Sequence, residues 1–397
     1  MKRLLFFLLV AGSVMSPAAR AQVSCPASSG KLICLIPNGL NFTQASFAGL
    51  GFLIEAVGSE VSNLPLASPA SGIIYRNDPK LNVPVPSDET LGPVLTQRPE
   101  TIGRHKLYIA ATYQFFRFED IDGLSLKNLP LFISVPGQGF EPTNNRLDLT
   151  VHQTTGYLTF GLTSRVDVSV AVPVLDIHEQ LTTSGLEYNL TSGMIQPIAS
   201  RTIAGSVTGI GDVIVAAKGT LWKPKHGGLA FGTEVRLPSG DAMNFLGAGT
   251  IGVKPFLSWT YGGRFAPHAN IAYQINGESV LASNAAGDKG HLPNRLFYSG
   301  GADVRATKWM TVAIDALAQR VFDSQRVSQT TVLQTTQNMS YPSIAVSTGS
   351  YNRTDGSVGL KFKPVRNLIV TGNLLVKLDQ GGLRARTVVL GGISYTF

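Results

Sequence analysis

Long apolar runs are missing from this chain. The longest, over residues 4–12, falls well short of the ~20 residues that a membrane-spanning helix needs. Any residence in a membrane must therefore use strands. Cysteine is nearly absent too: Cys25 and Cys34 are the two in 397 residues, and their spacing matches no zinc or redox motif. Charge is sparse at 15 % and forms no long basic block, which leaves nucleic acid without a binding surface. The six histidines (105, 152, 178, 226, 268 and 291) are scattered. None falls in H-E-x-x-H, beside a G-x-S-x-G elbow or in a Cys/His cluster. No catalytic set, metal site or cofactor is expected from such a chain.

What is present begins with an export signal. Lys2 and Arg3, the short apolar run and Ala19-Arg20-Ala21 read as a signal peptide over residues 1–21, cleaved before Gln22. The alternative, an uncleaved anchor helix, is too short. Losing Lys2, Arg3 and Arg20 lowers the formal charge from +8 to +5. In an oxidising periplasm Cys25 and Cys34 are expected to form a small disulfide loop. Gln22-Val23-Ser24 is a poor lipobox, which argues against a lipid anchor on Cys25.

From residue 105 onward about twelve segments alternate apolar and polar residues. Val166, Val168, Val170, Val172 and Val174 face one way, and Arg165, Asp167 and Ser169 the other. In the segment 146–163 the apolar phase switches near Thr155-Gly156, and a bulge there would absorb the extra residue. Connections alternate between short turns and longer loops, the longest at about 183–208 and 323–350. Short periplasmic turns, long extracellular loops and an even strand count describe an antiparallel up-and-down barrel in the outer membrane of a Gram-negative cell. A soluble sandwich has no reason to sort its loops by parity. The expected fold is all-β, a transmembrane barrel over 105–397.

Residues 22–104 read differently. Phe47, Leu50, Ile54, Val57 and Val61 have helical spacing, with Thr43 or Ser46 as caps. Seven prolines then keep 65–99 extended. This partly helical, Pro-rich extension is either a plug in the lumen or a loosely ordered piece at the periplasmic mouth.

Opposite the apolar rows lie charges that lipid would not accept: an Arg or Lys near mid-membrane costs about 2–4 kcal/mol. Arg146, Asp148, His152, Arg165, Asp167, Asp212, Lys218, Glu234, Arg236 and Lys254 are expected to line the lumen. Asp303, Arg305, Lys361, Lys363, Lys377, Arg384 and Arg386 extend the set. They either brace a filled interior or select solutes in a polar pore. The acidic group Glu119, Asp120 and Asp122 is read as a surface cation site or a solvated loop.

The last segment, 386–397, alternates and stops on an aromatic. Tyr395 and Phe397 resemble the C-terminal signal by which outer-membrane barrels engage their assembly machinery. Further pieces are Arg98-Pro99-Glu100-Thr101-Ile102-Gly103-Arg104, Asp122-Gly123-Leu124-Ser125-Leu126-Lys127, Gly209-Ile210-Gly211-Asp212-Val213, Leu237-Pro238-Ser239-Gly240-Asp241 and Gly263-Arg264-Phe265-Ala266-Pro267-His268-Ala269-Asn270. Together they resemble a family of outer-membrane transporters named for the MetA pathway of phenol degradation. The resemblance implies passage of small hydrophobic or aromatic compounds across the outer membrane and brings no catalytic set. The strand count and inward charges add the expectation of passive uptake through a narrow charged lumen, with outer-membrane lipid around it. The alternative is a non-transporting barrel that binds partners through its long loops.

Overall fold

The structure, a computed structural model, describes residue 25 and residues 29–39, 51–69, 75–77, 84–86, 90–135, 139–224, 227–282, 289–335 and 338–397. The expected signal peptide, and Thr43, Ser46, Phe47 and Leu50 of the expected helix, lie outside these.

Twelve strands close into one antiparallel barrel. They are β1 (Leu107–Ile121), β2 (Gly139–Gly161), β3 (Val166–Asn189), β4 (Ile214–Trp222), β5 (Gly228–Arg236) and β6 (Gly252–Thr260). The rest are β7 (Phe265–Asn276), β8 (Arg295–Arg305), β9 (Met310–Gln334), β10 (Met339–Val365), β11 (Leu368–Lys377) and β12 (Thr387–Thr396). Each pairs with its sequence neighbour, and β12 returns to β1 with Thr396 opposite Tyr108 and Val389 opposite Phe115. The Phe397 amide donates to the Leu107 carbonyl at 2.7 Å, so the last residue is part of the seam. Closure leaves no sheet edge within the wall.

Alternation puts one residue in two outside. On β3 the row Val166 to Val174 faces out, while Asp167 and Ser169 are buried inside. On β12 the row Val389, Gly391, Ile393, Tyr395 and Phe397 faces out. Leu158, Phe160, Leu257, Trp259, Ile271, Ile314, Val358, Leu360, Val370 and Ile393 continue an exposed apolar belt. Near the short turns it ends in aromatic pairs, Trp309 against Phe362 and Tyr395 against Phe397, with centroids 5.0 and 4.6 Å apart. Apolar atoms outside and charge within are the wall of an outer-membrane β-barrel.

Three expectations change at the loop end. The register of β2 against β1 and β3 runs unbroken past Gly156, so no bulge exists there. The apolar phase switches because Leu147, Leu149 and Val151 face an apolar core inside the barrel, whereas Leu158 and Phe160 face lipid. The two long loops are strand, not coil. Ile195–Ile210 pairs back onto β3, and β9 and β10 extend as one ladder to Gln334 opposite Met339. A register shift between Val321 and Ser324, with Asp323 at φ +49°, marks where that hairpin leaves the wall.

The inner core at the loop end belongs to the N-terminal segment. A 3-10 turn (Leu32–Cys34), helix α1 (Leu35–Gly39) and helix α2 (Gly51–Val61) bury Leu32, Ile33, Ile36, Phe52, Ile54 and Val57. These pack on Phe116, Leu147, Leu149, Ile177, Leu181 and Leu281. Cys25 and Cys34 are joined by a disulfide, and Lys31 pairs with Asp241 at 2.7 Å.

Candidate functional site: a lumen occupied by residues 59–69 and 90–102

Below α2 the described stretches 62–69 and 90–102 run in extended form inside the lumen. Seven prolines between 65 and 99 deny this part of the chain helix hydrogen bonds, and among the described residues its one ladder is the short pairing of Tyr75–Asn77 with Pro84–Pro86. Its other backbone groups need partners elsewhere, and several find them in the wall. Gln114 Nε2 donates to the Pro65 carbonyl at 2.8 Å, and Tyr157 Oη accepts from the Ala67 amide at 3.1 Å. Thr159 Oγ1 donates to the Pro69 carbonyl.

The lower stretch, 90–102, is held by the two most buried lysines of the wall. Lys218 Nζ donates to the carbonyls of Arg98 (2.7 Å) and Glu100 (2.9 Å). Lys361 Nζ donates to those of Pro93 (2.5 Å) and Leu91 (3.2 Å). Thr220 Oγ1 caps the Pro99 carbonyl, Asn270 Oδ1 accepts from the Gln97 amide, and Asp167 accepts from the Ile102 amide. The strap leaves past Gly161, where an added Cβ would collide with the Gly103 carbonyl.

Helix α2 meets the wall through charge. Glu60 is buried between Arg353, in direct contact, and Arg295 at 3.7 Å. Arg295 also donates to the carbonyl and hydroxyl of Ser59, and Arg236 donates to the Ser62 carbonyl and to Asn63 Oδ1. Arginines at a helix C-terminus satisfy its orphan carbonyls and oppose its dipole. Burial pushes the Glu55 carboxyl of α2 above the ordinary range, against hydrogen bonds from Ser324 and the Gln325 amide.

The expected lumen residues divide into two sets. Asp167, Lys218, Glu234, Arg236, Lys254, Asp303 and Lys361 face inward on the strands, with Arg305 and Lys363 on the same rows toward the short-turn rim. Lys254 pairs with Glu234 across neighbouring strands at 2.6 Å. Asp212, at the entry to β4, accepts from the amides of Gly240 and Ala248. Lys377 pairs with Asp120, and Arg384 with Asp355 at 2.7 Å.

Five are placed elsewhere. Arg146, Asp148 and His152 stand on the outer wall of β2 above the apolar belt, where Arg146 pairs with Asp148 at 2.7 Å and His152 Nδ1 meets Tyr113 Oη at 2.7 Å. There the inward row is the apolar one, so the polar row turns to water outside. Arg165 is exposed in the turn before β3, and Arg386 is exposed at the break before β12. The acidic group at 119–122 is neither an open cation site nor a solvated loop. Asp122 is buried, pairs with Arg326 at 2.7 Å and accepts from the amides of Val327 and Gly382. Among the described residues no group of three potential metal ligands assembles.

The sequence reading passed over the most enclosed contact. His268 lies fully buried between Asp315, 2.5 Å from Nε2, and Asp303, 3.5 Å from Nδ1. Asp315 follows the outward-facing Ile314 on a plainly alternating strand, so its inward direction is available from sequence. Removing one partner of a buried ionic contact costs about 3–5 kcal/mol. Asp315→Ala is expected to lower unfolding stability by that amount in urea, read by loss of the compact band in unheated gels. Asp315→Asn, which keeps an acceptor, is expected to cost less.

Between the helical head and the strap lies a cavity of about 250 Å3. Leu64, Leu66, Leu95, Tyr157, Phe256 and Phe297 line it with apolar surface, and Arg236, Arg353, Gln319 and the Glu234–Lys254 pair line it with polar groups.

Residues 143–310 match the family model described as "Putative MetA-pathway of phenol degradation". The match includes the motifs at 209–213, 237–241 and 263–270 on which the sequence resemblance rests. Among solved structures, the chain is similar to the COG4313 outer membrane channel from Pseudomonas putida F1. Identity is 12 %, coverage is 75 % of this chain and 98 % of that one, and the TM-score is 0.45. It is also similar to a FadL homologue from Pseudomonas aeruginosa, at 11 % identity, 84 % and 98 % coverage and a TM-score of 0.35. The comparison with curated proteins finds no match.

Proposed function

We propose that this outer-membrane barrel is a passive transporter for small hydrophobic or aromatic compounds, with residues 22–104 as a plug that narrows the lumen. The observation that carries the reading is the mid-lumen cavity. An apolar cavity of about 150 Å3 accepts benzene, so about 250 Å3 leaves room for a substituted single ring. A barrel built only to be braced would fill that level with side chains, as the loop end is filled.

The wall supports the same reading. Lys218 and Lys361 hold the strap by carbonyl oxygens rather than by carboxylates. A carbonyl returns less to a buried ammonium than a carboxylate does, so a strap that leaves and lets water in costs the lysines little. A plug fastened this way can yield without breaking an ion pair at those two points.

The test is uptake into proteoliposomes of a fluorescent single-ring compound too polar to cross lipid unaided. Uptake faster than in protein-free vesicles is expected, saturating as the cavity fills. An inserted barrel with uptake equal to bare lipid overturns the transport reading.

A further inference from the structure

Three arginines of the wall converge on residues 59–63. Register and side-chain bonds link them: Arg236 is opposite Gly252 and Gly252 opposite Asn276, whose Oδ1 accepts from Gln274; Gln274 is opposite Arg295, which donates to Gln319, itself opposite Arg353. The row thus crosses six neighbouring strands, β5 to β10. Its own acids do not balance it. Asp212 lies 3.6 Å from Arg236, and Asp355 is shared by Arg353 (3.3 Å) and Arg384 (2.7 Å). Among the described residues the carboxylate bound to Arg295 is Glu60, which comes from the plug and not from the wall.

The cavity begins where these contacts end. Arg236 and Arg353 line it, as do Ser62, Asn63 and Leu64 of the descending chain, with the rings of Tyr157, Phe256 and Phe297 below. A guanidinium above and aromatic surface below suit a molecule with a flat apolar body and a carboxylate at one end. Arginine pairs with carboxylate through two parallel donors, which fixes orientation as well as charge.

We propose that Glu60 is a tethered stand-in for the carboxylate of an aromatic acid, and that Arg353 with Arg295 forms the solute's carboxylate site. The proposal rests on the transport reading above and narrows its substrate class. Glu60 and the solute then compete for one pair of arginines. A solute that takes Arg353 frees the C-terminal end of α2, and by reciprocity loosening α2 raises affinity for the solute. The substrate thereby releases the plug that confines it, while a neutral ring fills the cavity without doing so.

Benzoate and its uncharged counterpart benzyl alcohol separate the cases. In the full chain in detergent, benzoate is expected to accelerate amide hydrogen exchange in 51–61, and benzyl alcohol is not. Equal acceleration by both, or none with benzoate, overturns the proposal. Calorimetry on Glu60→Gln gives a second reading: benzoate should bind about tenfold more tightly than to the natural chain, with benzyl alcohol unchanged. Adding Arg353→Gln should abolish that gain. A gain that survives Arg353→Gln, or appears equally for benzyl alcohol, also overturns it. The exchange measurement needs no substitution and stands even where Glu60→Gln fails to assemble. If neutral single-ring compounds enter proteoliposomes while benzoate leaves α2 untouched, the carboxylate site is wrong and the transport reading stands.

Discussion

A barrel lacking residues 25–100 is expected to conduct small ions by about an order of magnitude more than the natural chain in planar bilayers. The twelve-strand hydrogen-bond register closes without any of those residues, because every wall pairing lies between Leu107 and Thr396. The charges left behind gain a partner in the exchange. Lys218 and Lys361, now buried against carbonyls, would meet water in a hydrated bore. Arg295 and Arg353 would lose Glu60 but recover hydration, which removes the desolvation cost that made Glu60 necessary. The apolar inner row at the loop end bears the penalty, since Leu147, Leu149, Ile177 and Leu181 lose their cover. Conductance equal to that of the natural chain would mean that side chains of the wall close the bore, and that the N-terminal segment is not the plug.

The second large effect concerns lipid. Val170 is the middle of the outward valine row on β3, flanked by Leu158 on β2 and Val215 on β4. Val170→Arg places a guanidinium at mid-belt and is expected to cost about 2–4 kcal/mol of folding stability in lipid vesicles. Gln180→Arg, ten residues farther along the same face, is expected to cost about 0–1 kcal/mol. There the outer wall carries Asp176, His178 and Thr182 and is already in water. Equal costs at the two positions would mean that lipid covers the whole outer wall, and the depth assigned to the belt would be wrong.

The contrast between those two positions also shows what the sequence could convey. Alternation identifies strands and separates two faces, and all twelve wall strands were legible from it. It does not say which face is inside. At the short-turn end the apolar row faces lipid, and Asp167, Lys218, Lys254 and Lys361 point inward. At the loop end the apolar row faces α1 and α2, and Arg146, Asp148 and His152 point outward. The inversion was visible as the phase switch near Gly156, but a bulge explains such a switch equally well. Only the presence of a helical core inside the barrel decides between them. Arg165 and Arg386 sit where alternation breaks, in a turn and at a strand interruption, so no periodic argument reaches them. Arg295 begins a strand one residue before the periodic stretch. Glu60 belongs to a helix whose glycines and following prolines hide its role as a counter-ion. The hairpins at 183–208 and 323–350 read as loops because they are rich in polar residues, although Val327 is buried and Ile203, Val207 and Ile344 pack on the inner core.

The course of the N-terminal segment bears on how the barrel closes. Its helices sit at the extracellular mouth, while residue 103 lies at the periplasmic one, where the chain turns up into β1. A polypeptide cannot be drawn through a closed ring with a folded, disulfide-looped head on its far side. A head that folds and closes its disulfide before the Phe397 amide reaches Leu107 is locked in when the seam seals. A single proteolytic cut in the descending strap would then leave the head lodged at the cell surface, with its tether gone but no way back.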